Sequence, residues 1–100
     1  MNEEQREERI ESFRKLEENW DSYHGSPIGA EAIEVAKVFS ATFSDLFVAP
    51  TTGGGVMFED SSMPEGYGFL IDFRDDGTLD GFYIKTPKGE WEYDAETANQ

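Results

Sequence analysis

Tyr67-Gly68-Phe69-Leu70-Ile71-Asp72-Phe73-Arg74-Asp75-Asp76-Gly77-Thr78-Leu79-Asp80-Gly81-Phe82-Tyr83-Ile84-Lys85 decides the fold. Tyr67, Phe69, Ile71 and Phe73 alternate with Gly68, Leu70, Asp72 and Arg74. A period of two puts one set of side chains on each face of a strand. Asp76-Gly77 then separates this run from Leu79–Lys85, the dipeptide that suits a two-residue hairpin turn with Gly77 at positive φ. The same pattern continues on both sides. Val56 and Phe58 alternate with Met57 and Glu59, and Thr86-Pro87-Lys88-Gly89 turns the chain into Trp91 and Tyr93. The sequence therefore predicts four strands, near 55–59, 66–74, 78–85 and 89–93. Their short connections favour an antiparallel meander.

The first half has a helical period instead. Ile10, Phe13, Leu16 and Trp20 form one stripe, which predicts a helix from residue 2 to about 20, capped by Asn2. Glu3–Glu8 lack apolar side chains and should fray or project into solvent. Gly25, Pro27 and Gly29 break the chain. Ala32, Val35, Ala36, Phe39, Phe43 and Leu46 predict a second helix from Ala30 to about Phe47, stopped by Ala49-Pro50. The expected fold is α+β, with both helices on one face of the four-stranded sheet. Its core should hold Phe13, Leu16, Phe39, Phe43, Phe69 and Ile71. Residues 1–93 make one domain, and 94–100, DAETANQ, read as a disordered tail.

Composition narrows function by exclusion. The chain has 100 residues and a net charge of −14. Like charge repels nucleic-acid phosphates and anionic membranes as direct partners. Without cysteine there is no disulfide, thiolate nucleophile or zinc knuckle. No apolar run spans a membrane, and MNEEQREERIE carries no signal-peptide core, so the expected setting is the cytoplasm.

Asn19-Trp20-Asp21-Ser22-Tyr23, Pro27-Ile28, Ala32-Ile33, Ala36, Ala49-Pro50-Thr51, Gly54-Gly55-Val56, Ile71-Asp72 and Asp76-Gly77 form an ordered series over residues 16–84. This series resembles a family of short bacterial and phage proteins with the pattern N-W-D-x-Y, P-I, P-T-x-G-G-V and a D-G turn. His24 stands where that family usually has Gly, and Met57-Phe58-Glu59 replaces an x-L-E stretch. The resemblance implies an α+β fold and a bacterial or phage setting. It implies no mechanism.

No motif assigns catalysis, a cofactor or a metal. His24 is the one histidine, and a base needs a partner at fixed geometry. Thr51-Thr52-Gly53-Gly54-Gly55 lacks the Lys and the following helix of a phosphate loop. Asp72–Asp80 departs from a calcium loop, with Arg74 at the third position and Tyr83 at the twelfth. Charge is more informative. Residues 1–18 sum to −3 and residues 19–100 to −11. Glu59, Asp60, Glu65, Asp72, Asp75, Asp76 and Asp80 face a single base, Arg74, in that window. Such a surface keeps a protein soluble and steers it toward a basic partner.

The expected function is a non-enzymatic protein-interaction module, one form of which is a phage- or mobile-element-encoded inhibitor that mimics nucleic acid at a host protein's basic site. Those seven acids and the Trp20, Asp21, Tyr23 corner are the expected contacts. The rival is a small-molecule or divalent-cation site at the Trp20–His24 corner or the Asp72–Asp80 turn. A homodimer through Leu70, Phe82 and Ile84 is the expected self-assembly.

Overall fold

The computed structural model describes residues 2–43, 45–60 and 62–95. Helix α1 (Glu3–Ser12) runs into a 3-10 turn (Phe13–Lys15), and α2 (Ala30–Thr42) follows. Strands β1 (Phe47–Pro50), β2 (Val56–Glu59), β3 (Gly68–Phe73), β4 (Leu79–Thr86) and β5 (Gly89–Asp94) form one antiparallel sheet in the order β1-β2-β3-β4-β5. Among the described residues the fold is thus α+β with two helices and five strands. No described helix is long and apolar enough to cross a membrane.

The additional strand is β1. Its residues continue the helical stripe in sequence, but α2 ends earlier, with Phe43 at φ −121 and ψ 74. Pro50 closes β1 at a sheet edge, where a missing N–H is tolerated. The first helix is also shorter than its stripe. Leu16 turns to extended backbone, and Trp20 lies in the following turn while still packing against the core.

The start of α1 does not fray: Glu3, Glu4, Glu7 and Glu8 project into solvent as expected, but the turn is anchored. Asn2 and Gln5 cap it reciprocally. Arg6 is buried and donates to Ser40 on α2 at 3.2 Å. Outside this contact, Arg14 pairs with Glu11 at 2.7 Å and with Glu34 at 2.6 Å, and Lys37 also pairs with Glu11. Hydrogen bonds from Arg14 and Lys37 hold the Glu11 carboxyl down at about 2.

Cross-strand partners share a face, so the register divides the sheet. Val48, Phe58, Ile71, Phe82 and Tyr93 form one lateral row, and Val56 and Phe73 another on the same side. The core joins Val48, Val56 and Phe58 to Ile10, Phe13, Ile28, Ala32, Ile33 and Ala36. Leu16, Phe39 and Ile71 pack against it as expected. Phe43 does not belong there, being 51% exposed beside Phe39, and Phe69 lies outside the cluster. No residue of β4 or β5 joins this core, so the helices cover the β1–β3 half of the sheet.

The β3–β4 hairpin is longer than a two-residue turn. Gly77 donates to Arg74 at 2.9 Å and Arg74 to Thr78 at 2.8 Å, so Asp75 and Asp76 are the central pair and Gly77 follows. Gly77 has φ 84, the left-handed region expected for it. One extra residue in the loop is compensated by a bulge. Phe73 pairs with Leu79 and Asp72 with Gly81, leaving Asp80 between them. At the other end of the sheet β5 continues through Asp94, and Ala95 is buried, beyond the expected boundary at 93. Residues 96–100 of the expected tail lie outside the described residues.

Candidate functional site

The face of the sheet opposite the core is uncovered by either helix. Glu59, Leu70, Tyr83 and Glu92 form a row across it, and Met57, Asp72, Gly81 and Asp94 form the next. Glu90 pairs with Lys85 beyond them. A pocket of about 210 Å³ lies around Gly81, with Asp72, Asp80, Glu92 and Asp94 among its lining residues.

Burial and, after it, neighbouring carboxylates move titrating groups here. Asp72 is pushed above the usual carboxylate range by burial and by the neighbouring Asp80 and Asp94. The Tyr83 phenol is also pushed up, by burial and by Glu90 and Glu92. Both shifts favour the less negative form of the group.

One consequence concerns acidity. The native state holds the Asp72 proton more tightly than the unfolded chain does. Its contribution to stability is therefore full below the ordinary carboxylate value and is lost as pH rises through the raised one. Asp72→Asn should raise the melting temperature near pH 7 and change it little at about pH 3. Thermal melts at the two pH values check this, and an equal gain at both would contradict it.

The seven acids from Glu59 to Asp80 do not form one patch. Glu59 and Asp72 belong to the open face. Asp60 and Glu65 lie on the β2–β3 connection, where the Ser62 hydroxyl and amide hold the Asp60 carboxyl down. Asp75 and Asp76 lie at the hairpin tip, and Thr78 holds the Asp76 carboxyl down in the same way. Asp80 accepts from Arg74 Nε at 3.1 Å. Glu90, Glu92 and Asp94 join the open face although sequence reasoning passed over them. Their signal was the alternation Glu90-Trp91-Glu92-Tyr93 within the strand predicted at 89–93, which Asp94 continues past its predicted end. Among the described residues no group of three His, Cys, Asp or Glu side chains is placed to hold a metal ion.

The Trp20–His24 corner is held by local hydrogen bonds between side chains and backbone. Trp20 Nε1 donates to the Ser26 carbonyl at 2.7 Å. Asp21 Oδ1 accepts from the amides of Tyr23 and Gly25, and Asn19 Oδ1 from the amide of His24. These bonds support left-handed backbone at Asn19, Ser22 and His24, each at φ 64. Asp21 Oδ2 is buried without a hydrogen-bond partner. Tyr23 does not pack over the corner but projects from it, 81% exposed. Ser26 donates to the Thr52 carbonyl, which ties the corner to the β1–β2 loop.

The register also separates the expected dimer residues. Phe82 pairs with Ile71 and Ile84 with Phe69, whereas Leu70 pairs with Tyr83. Leu70 is therefore on the opposite face from Phe82 and Ile84, and the three make no common surface.

No protein-family model, curated protein or solved structure matches this chain.

Proposed function

We propose that this protein is a non-enzymatic docking module whose uncovered, acid-bearing sheet face occupies a basic site on another protein, of the kind that nucleic acid takes. The row Glu59, Leu70, Tyr83, Glu92 beside Asp72 and Asp94 carries the reading. It combines carboxylates with an aromatic ring on a rigid sheet, where burial, together with the neighbouring carboxylates, raises Asp72 and Tyr83. Carboxylates fixed on strands stand in for phosphates, while Leu70 and Tyr83 supply area that is independent of salt. An inhibitor carried by a phage or mobile element is the form of this role that the resemblance in sequence favours.

The test begins with capture from a nuclease-treated bacterial lysate at low ionic strength, where screening is weakest. Association of the captured protein is then timed with the wild type and with a Glu59→Gln, Asp72→Asn variant. The hairpin acids are left intact because Asp76 and Asp80 hold Thr78 and Arg74. The association rate should fall about tenfold in the variant, and its salt dependence should flatten. Unchanged association would overturn the proposal. Loss confined to a Tyr23→Ala variant would move the site to the corner.

A further inference from the structure

The two edges of the sheet are finished differently. At β1, Pro50 offers no N–H, and Arg9 Nε donates to the Val48 carbonyl at 2.9 Å. The same guanidinium sits 5.0 Å from the Phe47 ring and 5.6 Å from the Phe13 ring. That edge is closed against another strand. At β5 there is no proline, β4 is the one neighbouring strand among the described residues, and Glu90 to Asp94 are all exposed.

The side chains of β5 specify what this edge accepts. Glu90, Glu92 and Asp94 share the open face with Lys85, Tyr83 and Gly81. Trp91 and Tyr93 share the other face with Ile84 and Phe82, and are 53% and 37% exposed. Tyr93 stacks on Phe82 at 5.7 Å. A second copy does not fit. Any antiparallel pairing of β5 with itself that keeps the sheet faces continuous sets acid opposite acid. Centred on Glu92, it places Glu92 against Glu92 and Glu90 against Asp94. Like charges directly opposite destabilise a strand pair.

We propose that β5 is a docking edge for an extended segment of a partner protein in which Lys or Arg alternates with apolar residues, added as a sixth strand. The basic side chains would meet Glu90, Glu92 and Asp94, and the apolar ones Trp91 and Tyr93. Main-chain hydrogen bonds supply affinity and the alternation supplies specificity. The inference rests on the docking-module reading and adds the element that docks.

The full chain would be titrated with a capped peptide of alternating Lys and Val, about eight residues long, a usual strand length. A peptide of the same composition with its Lys and Val residues in separate blocks is the control. The alternating peptide should bind about tenfold more tightly and slow amide exchange along β5 but not β1. Glu92→Lys should reverse the preference, weakening the Lys peptide and favouring one that alternates Glu and Val. Equal binding of the two Lys peptides, no binding by either, or protection elsewhere with none at β5 would overturn the docking edge. Any of those results with an open-face variant that still slows association leaves the module reading standing. β5 docking with unchanged association in that variant leaves the edge standing and removes the open face.

Discussion

Phe58→Ala should cost about 3–5 kcal/mol, the range for deleting a buried aromatic ring. Phe58 is fully buried, with Val48 and Ile71 as its strand partners. Its ring lies 4.6 Å from that of Phe39 on α2 and 6.4 Å from that of Phe73 on β3. Removing it opens a cavity at the contact that joins helix to sheet, and neither the β2 backbone nor α2 can move in without breaking its own pairings. A domain of this size has of order 5–15 kcal/mol in total. The variant should therefore show a large fall in denaturation midpoint or fail to fold. Phe43→Ala supplies the contrast. Phe43 is half exposed with its ring 4.8 Å from Phe39, so its loss should cost about 1 kcal/mol or less. Urea titrations of the two variants decide it, and equal losses would contradict this placement of the core.

Phe43 and its neighbour Phe39 show what the sequence could and could not carry. Both fit a stripe at helical spacing. Which one is covered depends on where α2 ends, and β1 begins within what looks like its continuation. Four residues containing Pro give no period of their own, so Phe47–Pro50 carried no strand signal. The β3–β4 hairpin was legible because alternation and Asp-Gly report local geometry. Its loop length was misjudged, yet the bulge at Asp80 restores the register that a two-residue turn would give. Arg6 was invisible because its burial depends on Ser40, a residue far along the chain. The acid site was legible in sign but not in place. Composition reveals an acidic half, whereas only strand pairing shows that Glu59 and Asp72 share a face with Glu92 while Asp75 and Asp76 do not.

Gly55→Ala should destabilise by about 3 kcal/mol or more, beyond ordinary overpacking because the obstacle is main chain. A Cβ on Gly55 would sit 1.9 Å from the Phe73 carbonyl oxygen. Neither side can yield cheaply. Gly55 receives the Thr51 amide on its carbonyl at 2.9 Å, and its own amide donates to Thr51 Oγ1 at 3.0 Å. Phe73 is paired with Val56 on one side and Leu79 on the other. Relief would pull the end of β3 away from β2 and carry the hairpin with it. That hairpin is also wedged from the helix side. A Cβ on Gly77 would meet the Glu31 carbonyl at 3.1 Å and Val35 Cγ2 at 3.0 Å. The β1–β2 loop, the β3–β4 hairpin and the first turns of α2 are thus locked by close approach of backbone to backbone, with the Val35 side chain closing on Gly77. Gly53→Ala, two residues away, has nothing within 4 Å of its new methyl and should be neutral within about 0.5 kcal/mol. Matched denaturation curves of the Gly55 and Gly53 variants separate this steric lock from a general intolerance of alanine in a glycine-rich loop. Indistinguishable midpoints would show that the loop gives way, and that the hairpin's position does not depend on it.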